Sequence, residues 1–188
     1  VVTLGISLIY YRMKDYVVLV NSEDQDIGEM EKMQAHQKGV LHRAFSVFLF
    51  NSNGDTLLQK RASSKYHSPN LWTNSCCSHP RKDEGIVDAA NRRLGEELGI
   101  PMGLKLNLEK SFSFTYRAEL DNGLIEHELD HVLKGFIDDY NFSFNKEEVE
   151  EVRWVSMKEL TLGIKEFPER YTEWFKIILN EYLNYFSL

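Results

Sequence analysis

The chain has 188 residues and a formal net charge of −7, with 43% hydrophobic and 27% charged residues. That length is enough for one domain with a sizeable core, and the composition is ordinary for a soluble globular protein. The acidic balance argues against binding nucleic acid or an anionic membrane through the overall field, so a phosphate-bearing ligand needs local cations or bound metal.

Val1–Tyr11 is mostly apolar but too short to span a bilayer, and it lacks a basic leader and a small-residue cleavage site. Met13, followed by Lys14 and Asp15, reads as a natural start. Residues 1–12 are therefore expected to be an N-terminal extension, with one domain over 13–188. The two cysteines, Cys76 and Cys77, are neighbours. Adjacent thiols exclude a disulfide framework and fit a reducing cytoplasm.

Tyr16–Val20 and Ala44–Phe50 have strand character, and Asn53-Gly54 turns the chain into a strand over Thr56–Lys60. Trp72–Cys77 reads as a short strand. Ile86–Leu98 carries Val87, Ala90, Leu94 and Leu98 at helical spacing and is stopped by Gly99. Phe112–Ala118 and Leu124–Phe136 form a hairpin through Asp121-Asn122-Gly123. Glu150–Val155 is a further strand, Ser156 and Glu159 have the spacing of a helix start, and Arg170–Phe186 is a terminal helix. The order implies an α+β fold, a mixed sheet flanked by helices.

Two constellations carry chemistry. In the first, Arg92 and Arg93 stand one helical turn before Glu96 and Glu97, at the spacing where side chains meet. Carboxylate oxygens there suit Mg²⁺, whose shell diphosphate oxygens can complete. In the second, strand periodicity puts Cys77 and His79 on one face, and likewise Glu126 and Glu128, with His127 turned away. Joined by His36 and His42, these residues offer three imidazoles and two carboxylates. Such a set suits Mn²⁺ or Mg²⁺, with Zn²⁺ also possible.

The segment Ser78–Ile100 resembles the Nudix box, with Ser78 in place of its leading Gly and Arg93 in place of the Glu after Arg92. Over roughly residues 13 to 188 the chain also resembles type I isopentenyl-diphosphate isomerases. The matching strings are His36-x5-His42, Trp72-Thr73-Asn74-Ser75-x-Cys77-x-His79-Pro80, the altered box, Phe114-x-Tyr116-Arg117-Ala118 and Glu126-x-Glu128.

The resemblance implies a Nudix-like fold and an isomerase that interconverts isopentenyl and dimethylallyl diphosphate in isoprenoid biosynthesis. It makes Cys77, Glu128 and Tyr116 catalytic, and His36, His42, His79, Glu126 and Glu128 ligands of Mn²⁺ or Zn²⁺. A Mg²⁺ on Glu97 would accompany the diphosphate, bound by Lys32, Arg61, Lys65 and Arg93, with Trp174 facing the substrate's cationic carbon. A Cys77 thiolate would need positive charge nearby. A cytoplasmic monomer or weak homodimer is expected, with a small diphosphate as its partner and neither nucleic acid nor membrane. The rivals are a Nudix hydrolase of a nucleoside diphosphate derivative and a catalytically idle binding module.

Overall fold

A computed structural model describes residues 15–101, 103–138 and 141–185. The anticipated extension at residues 1–12 lies outside these. In chain order the elements are β1 (Tyr16–Val20), β2 (Asp26–Glu31), α1 (Lys32–Lys38), β3 (His42–Phe50), β4 (Thr56–Arg61), β5 (Trp72–Thr73) and β6 (Cys76–Ser78). These are followed by α2 (Ile86–Leu98), β7 (Glu109–Glu119), β8 (Ile125–Phe136), β9 (Val149–Val155), α3 (Met157–Glu166) and α4 (Glu173–Glu181).

β3 organises the sheet. Along its whole length it pairs parallel with β8, and its other edge is shared by β1, β6 and β4, all antiparallel. β7 continues the sheet beyond β8, β5 and β9 flank β4, and β2 pairs with β1. The result is the mixed sheet with flanking helices that the element order implies.

The strand is apolar on both faces because both are covered. Phe45, Val47 and Leu49 pack with Ala90, Leu94 and Leu98 of α2. Phe48 and Phe50 point the other way, into a layer with Phe175 and Ile178 of α4 and Leu160 of α3.

α2 spans Ile86–Leu98, as its periodicity predicts, and ends at Gly99 in the left-handed region (φ 71°). A side chain at that glycine would also collide with the Ser143 backbone. Ser156 accepts a hydrogen bond from the Glu159 N–H at 3.2 Å and so starts α3.

Three expectations change. The strand over Trp72–Cys77 is two, broken where side chains take over the role of the ladder. Asn74 Nδ2 donates to the carbonyls of Val47 and Cys76, while Ser75 Oγ accepts from the Leu49 N–H and donates to the Leu57 carbonyl. The terminal helix is shorter than Arg170–Phe186. Arg170 belongs to a 3-10 turn, and the helix gives way at Tyr182, whose ring stacks on Phe112 with centroids 4.9 Å apart. Phe186 lies outside the described residues. Finally, β2 and α1 precede β3, where no element was expected. The Glu31 carboxylate caps α1 by accepting from the N–H groups of Met33 and Gln34.

Glu84 anchors the approach to α2. Its carboxylate accepts from Arg92 Nε at 2.6 Å and Arg92 Nη2 at 2.8 Å. It also accepts from the Arg81 N–H at 2.8 Å. The Arg92 guanidinium holds the Glu84 carboxyl below its usual value, although partial burial works against this. Glu84→Gln should therefore lower unfolding free energy at pH 7 by about 1 kcal/mol, a modest figure because the pair is partly solvated. Because the folded carboxyl is the more acidic one, this deficit is full above pH 4.5, the ordinary value, and vanishes as pH falls through the folded pKa. Urea titrations of both proteins between pH 3 and 7 check this. A deficit that did not change with pH would mean lost packing rather than a lost ion pair.

Candidate active site

Strand register brings the polar residues together. The β3–β8 pairing sets His42 opposite Glu128 and Ala44 opposite Asp130, and the β3–β6 pairing sets Ser46 opposite Cys77. β7 sets Tyr116 opposite Glu128. His127 turns away, with its Nδ1 3.0 Å from the Gly39 carbonyl. His36 comes from α1 and His79 from the residue after β6.

His36, His42, His79 and Glu128 present ligand atoms that all lie within 4.8 Å of one another. His36 Nδ1 lies 2.8 Å from the Lys32 carbonyl and His42 Nδ1 2.8 Å from the Val40 carbonyl. A carbonyl only accepts, so each Nδ1 carries a proton, which in a neutral ring leaves the lone pair on Nε2. Both Nε2 atoms are buried without a hydrogen-bond partner. Burial lowers the pKa of His36 and pulls His79 down to about 4, which keeps these rings neutral. Buried imidazoles in a preset tautomer, with unused lone pairs beside a carboxylate, fit a divalent cation.

The two glutamates differ. His79 Nε2 lies 3.0 Å from Glu128 Oε1, and His42 Nε2 lies 3.4 Å from the same oxygen. Although burial opposes it, His42 and His79 hold Glu128 well below the carboxylate range. Burial and the charge of Glu128 push Glu126 well above it. Tyr116 Oη lies 2.7 Å from Glu128 Oε2 and 3.1 Å from Glu126 Oε2. One hydroxyl carries one proton, so Tyr116 shares it between the two carboxylates, with Glu128 at the shorter distance.

The Cys77 thiol is fixed on several sides. It donates to Asn74 Oδ1 at 2.8 Å and accepts from the Trp174 indole N–H at 2.8 Å. Ser46 Oγ lies 3.6 Å from the sulfur and donates to Asp130 Oδ2 at 2.8 Å. The positive charge that a thiolate would need is weak here. Burial and Asp130 push the thiol up to about 12, against which Arg61 offers little. Cys77 therefore rests as a thiol.

An open-mouthed cavity is bordered by Cys77, His79, Glu126, Glu128 and Trp174 together with Lys32, Arg61, Lys65 and Arg93. Within an acidic molecule, these four cations make this pocket locally suited to phosphate. Arg61 is held by the carbonyls of His67 and Ser68 and lies 5.4 Å from the Trp174 ring centroid. Lys65 pairs with Glu148 at 2.6 Å. Burial disfavours the charge of Arg93, but Glu97 and Glu148 more than offset this.

Glu97 stands apart from this cavity. Arg93 donates to its Oε1 at 2.6 Å and Gln59 to its Oε2 at 2.9 Å, so both oxygens are engaged. Tyr116 and His42 reach the cavity through Glu128, as Glu97 does through Arg93, and the other candidate residues border it. Sequence reasoning overlooked Ser46, Tyr66, His67 and Asp130. Asp130 continues the alternation of Glu126 and Glu128 along β8 and was legible on that basis. His67 lies between β4 and β5, where no periodicity marks it.

The NUDIX domain family matches residues 40–175. The chain is 46% identical over 176 residues to isopentenyl-diphosphate Delta-isomerase 2 of Aromatoleum aromaticum, covering 94% of this chain and 90% of that protein. It is 50% identical over 168 residues to the enzyme of the same name from Photorhabdus laumondii, covering 89% and 92%. Among solved structures, DR0079 from Deinococcus radiodurans superposes with a TM-score of 0.72 at 19% identity, covering 88% of this chain and 98% of that one. A MutT protein from Methanosarcina mazei gives 0.61 at 16% identity, covering 77% and 94%.

If the imidazole cluster holds a divalent cation, His42→Ala should lose it. After dialysis against a chelator, metal analysis should find at least tenfold less bound ion than in the unaltered protein. Undiminished content would remove His42 from the ligand set.

Proposed function

The chain belongs to the isopentenyl-diphosphate Delta-isomerase family, within the Nudix superfamily, and from that membership we propose that it interconverts isopentenyl diphosphate and dimethylallyl diphosphate in isoprenoid biosynthesis. What most supports this is one cavity that joins a neutral thiol, a tyrosine-linked carboxylate and a cluster of phosphate-type cations.

Moving the double bond adds a proton to the terminal alkene carbon and removes one from the carbon nearer the diphosphate. The charge passes through a tertiary carbocation-like state, and no atom is lost. One catalytic group gives a proton and the other takes one, so each turnover exchanges their protonation states. Cys77 is one such group, and Glu128 with Tyr116 is the other. Trp174 and Asn74 fix the thiol, while His42 and His79 keep Glu128 ionised at rest. Trp174 offers a ring face to the developing cation, an interaction worth up to about 2 kcal/mol when desolvated.

His36, His42, His79, Glu126 and Glu128 would hold a Mn²⁺ or Zn²⁺ ion, which when bound supplies positive charge that acidifies groups on Glu128. Lys32, Arg61, Lys65 and Arg93 would clamp the diphosphate. A Mg²⁺ travelling with the diphosphate belongs to the same proposal, with Glu97 binding it through lone pairs left beside its bonds from Arg93 and Gln59. With small diphosphates as its partners, the enzyme would work in the cytoplasm. Among the described residues no helix is long and apolar enough to cross a membrane.

Incubation with isopentenyl diphosphate in deuterated water should yield deuterated dimethylallyl diphosphate and no free phosphate. Phosphate release without exchange would instead identify a hydrolase. Cys77→Ala and Glu128→Gln should each reduce turnover by at least a thousandfold while circular dichroism stays unchanged. Near-normal turnover in either variant would refute the paired mechanism.

A further inference from the structure

The buried donors around the imidazole cluster extend past the five residues expected from sequence. His67 is 5% exposed, and its Nε2 lies 3.7 Å from Glu126 Oε1, too far for a hydrogen bond. Its ring stacks on His36 with centroids 5.8 Å apart, and it meets Trp174 edge-on at 6.1 Å. His36, His67 and Glu126 bring ligand atoms within 4.8 Å of one another, the same spread as in the set of His36, His42, His79 and Glu128.

His36 belongs to both groups. Its Nδ1 is committed to the Lys32 carbonyl, which leaves a single lone pair on Nε2. One lone pair serves one cation, so the two groups cannot be independent centres that are both filled. His36 stands at the junction of the two groups.

Resting on the metal site put forward above, we propose that His67 is a further metal ligand, which joins four imidazoles and two carboxylates around one divalent transition-metal ion. His67 Nδ1 lies 3.3 Å from Ser68 Oγ, which leaves Nε2 facing Glu126 Oε1, where one cation could be bound by both. Six protein donors are enough for a six-coordinate shell. Four of them are imidazole nitrogens, which biases the centre toward later first-row ions and away from Mg²⁺.

The test uses Co²⁺ as the probe, with His67→Phe to keep the ring volume and His67→Ala as a second variant. Visible d–d absorption reports the ligand set, and titration with a chelator reports retention. Both variants should still bind Co²⁺, with at least tenfold weaker retention and shifted bands. Unaltered bands and retention in either folded variant would overturn the assignment. His42→Ala serves as the reference. If it loses Co²⁺ while the His67 variants behave like the parent, only the role of His67 fails. If all three behave like the parent, the metal site itself fails.

Discussion

The parallel register between β3 and β8 decides where the chemistry can be. It sets His42 beside Glu128 and, two residues on, Ala44 beside Asp130. Because side chains alternate, sliding β8 by one residue would send Glu126, Glu128 and Asp130 into the layer that packs on α2 and bring Leu129 into the cavity. The register is held by Phe45, Val47 and Leu49 on one face and Phe48 and Phe50 on the other, all 0% exposed. The apolar part of the strand therefore fixes the polar part, and the polar part draws its partners from β6, β7 and α1.

A core of this kind carries an electrostatic cost. His36, His42, Glu126, Glu128 and Asp130 are all buried. Each uncompensated polar atom weakens the fold unless a partner is found. Backbone carbonyls satisfy one nitrogen on each of two imidazoles, and Tyr116 links the two glutamates. On those two imidazoles the nitrogens left without partners, Nε2 of His36 and of His42, belong to the set gathered with Glu128, as expected where ligand binding outweighs stability.

What could be read from sequence was what depends on near neighbours. Helix α2 follows from its apolar spacing, and the shared face of Glu126 and Glu128 follows from strand alternation, with His127 turned outward for the same reason. Packing between distant segments decided the rest. Glu97 occupies the last turn of α2 as its spacing requires, yet Gln59 of β4, far away in sequence, engages one of its oxygens. α1 has few apolar residues to announce it and depends on the Glu31 cap. Tyr182 fits helical spacing but is captured by Phe112 of β7. The resting state of Cys77 as a thiol has a similar origin, since the depth of its burial and the nearness of Asp130 arise only once β3, β6 and β8 are assembled.

Arg61 links the two ends of the cavity. Its guanidinium is anchored to the carbonyls of His67 and Ser68, lies against the Trp174 ring and faces the space available to a diphosphate. Trp174 in turn holds the sulfur of Cys77 through its indole N–H. Anchoring the anionic tail thus bears directly on the aim of the thiol two contacts away. An alcohol with the same five carbons would leave that lever unpulled, so the deficit would fall on its turnover as well as on its occupancy.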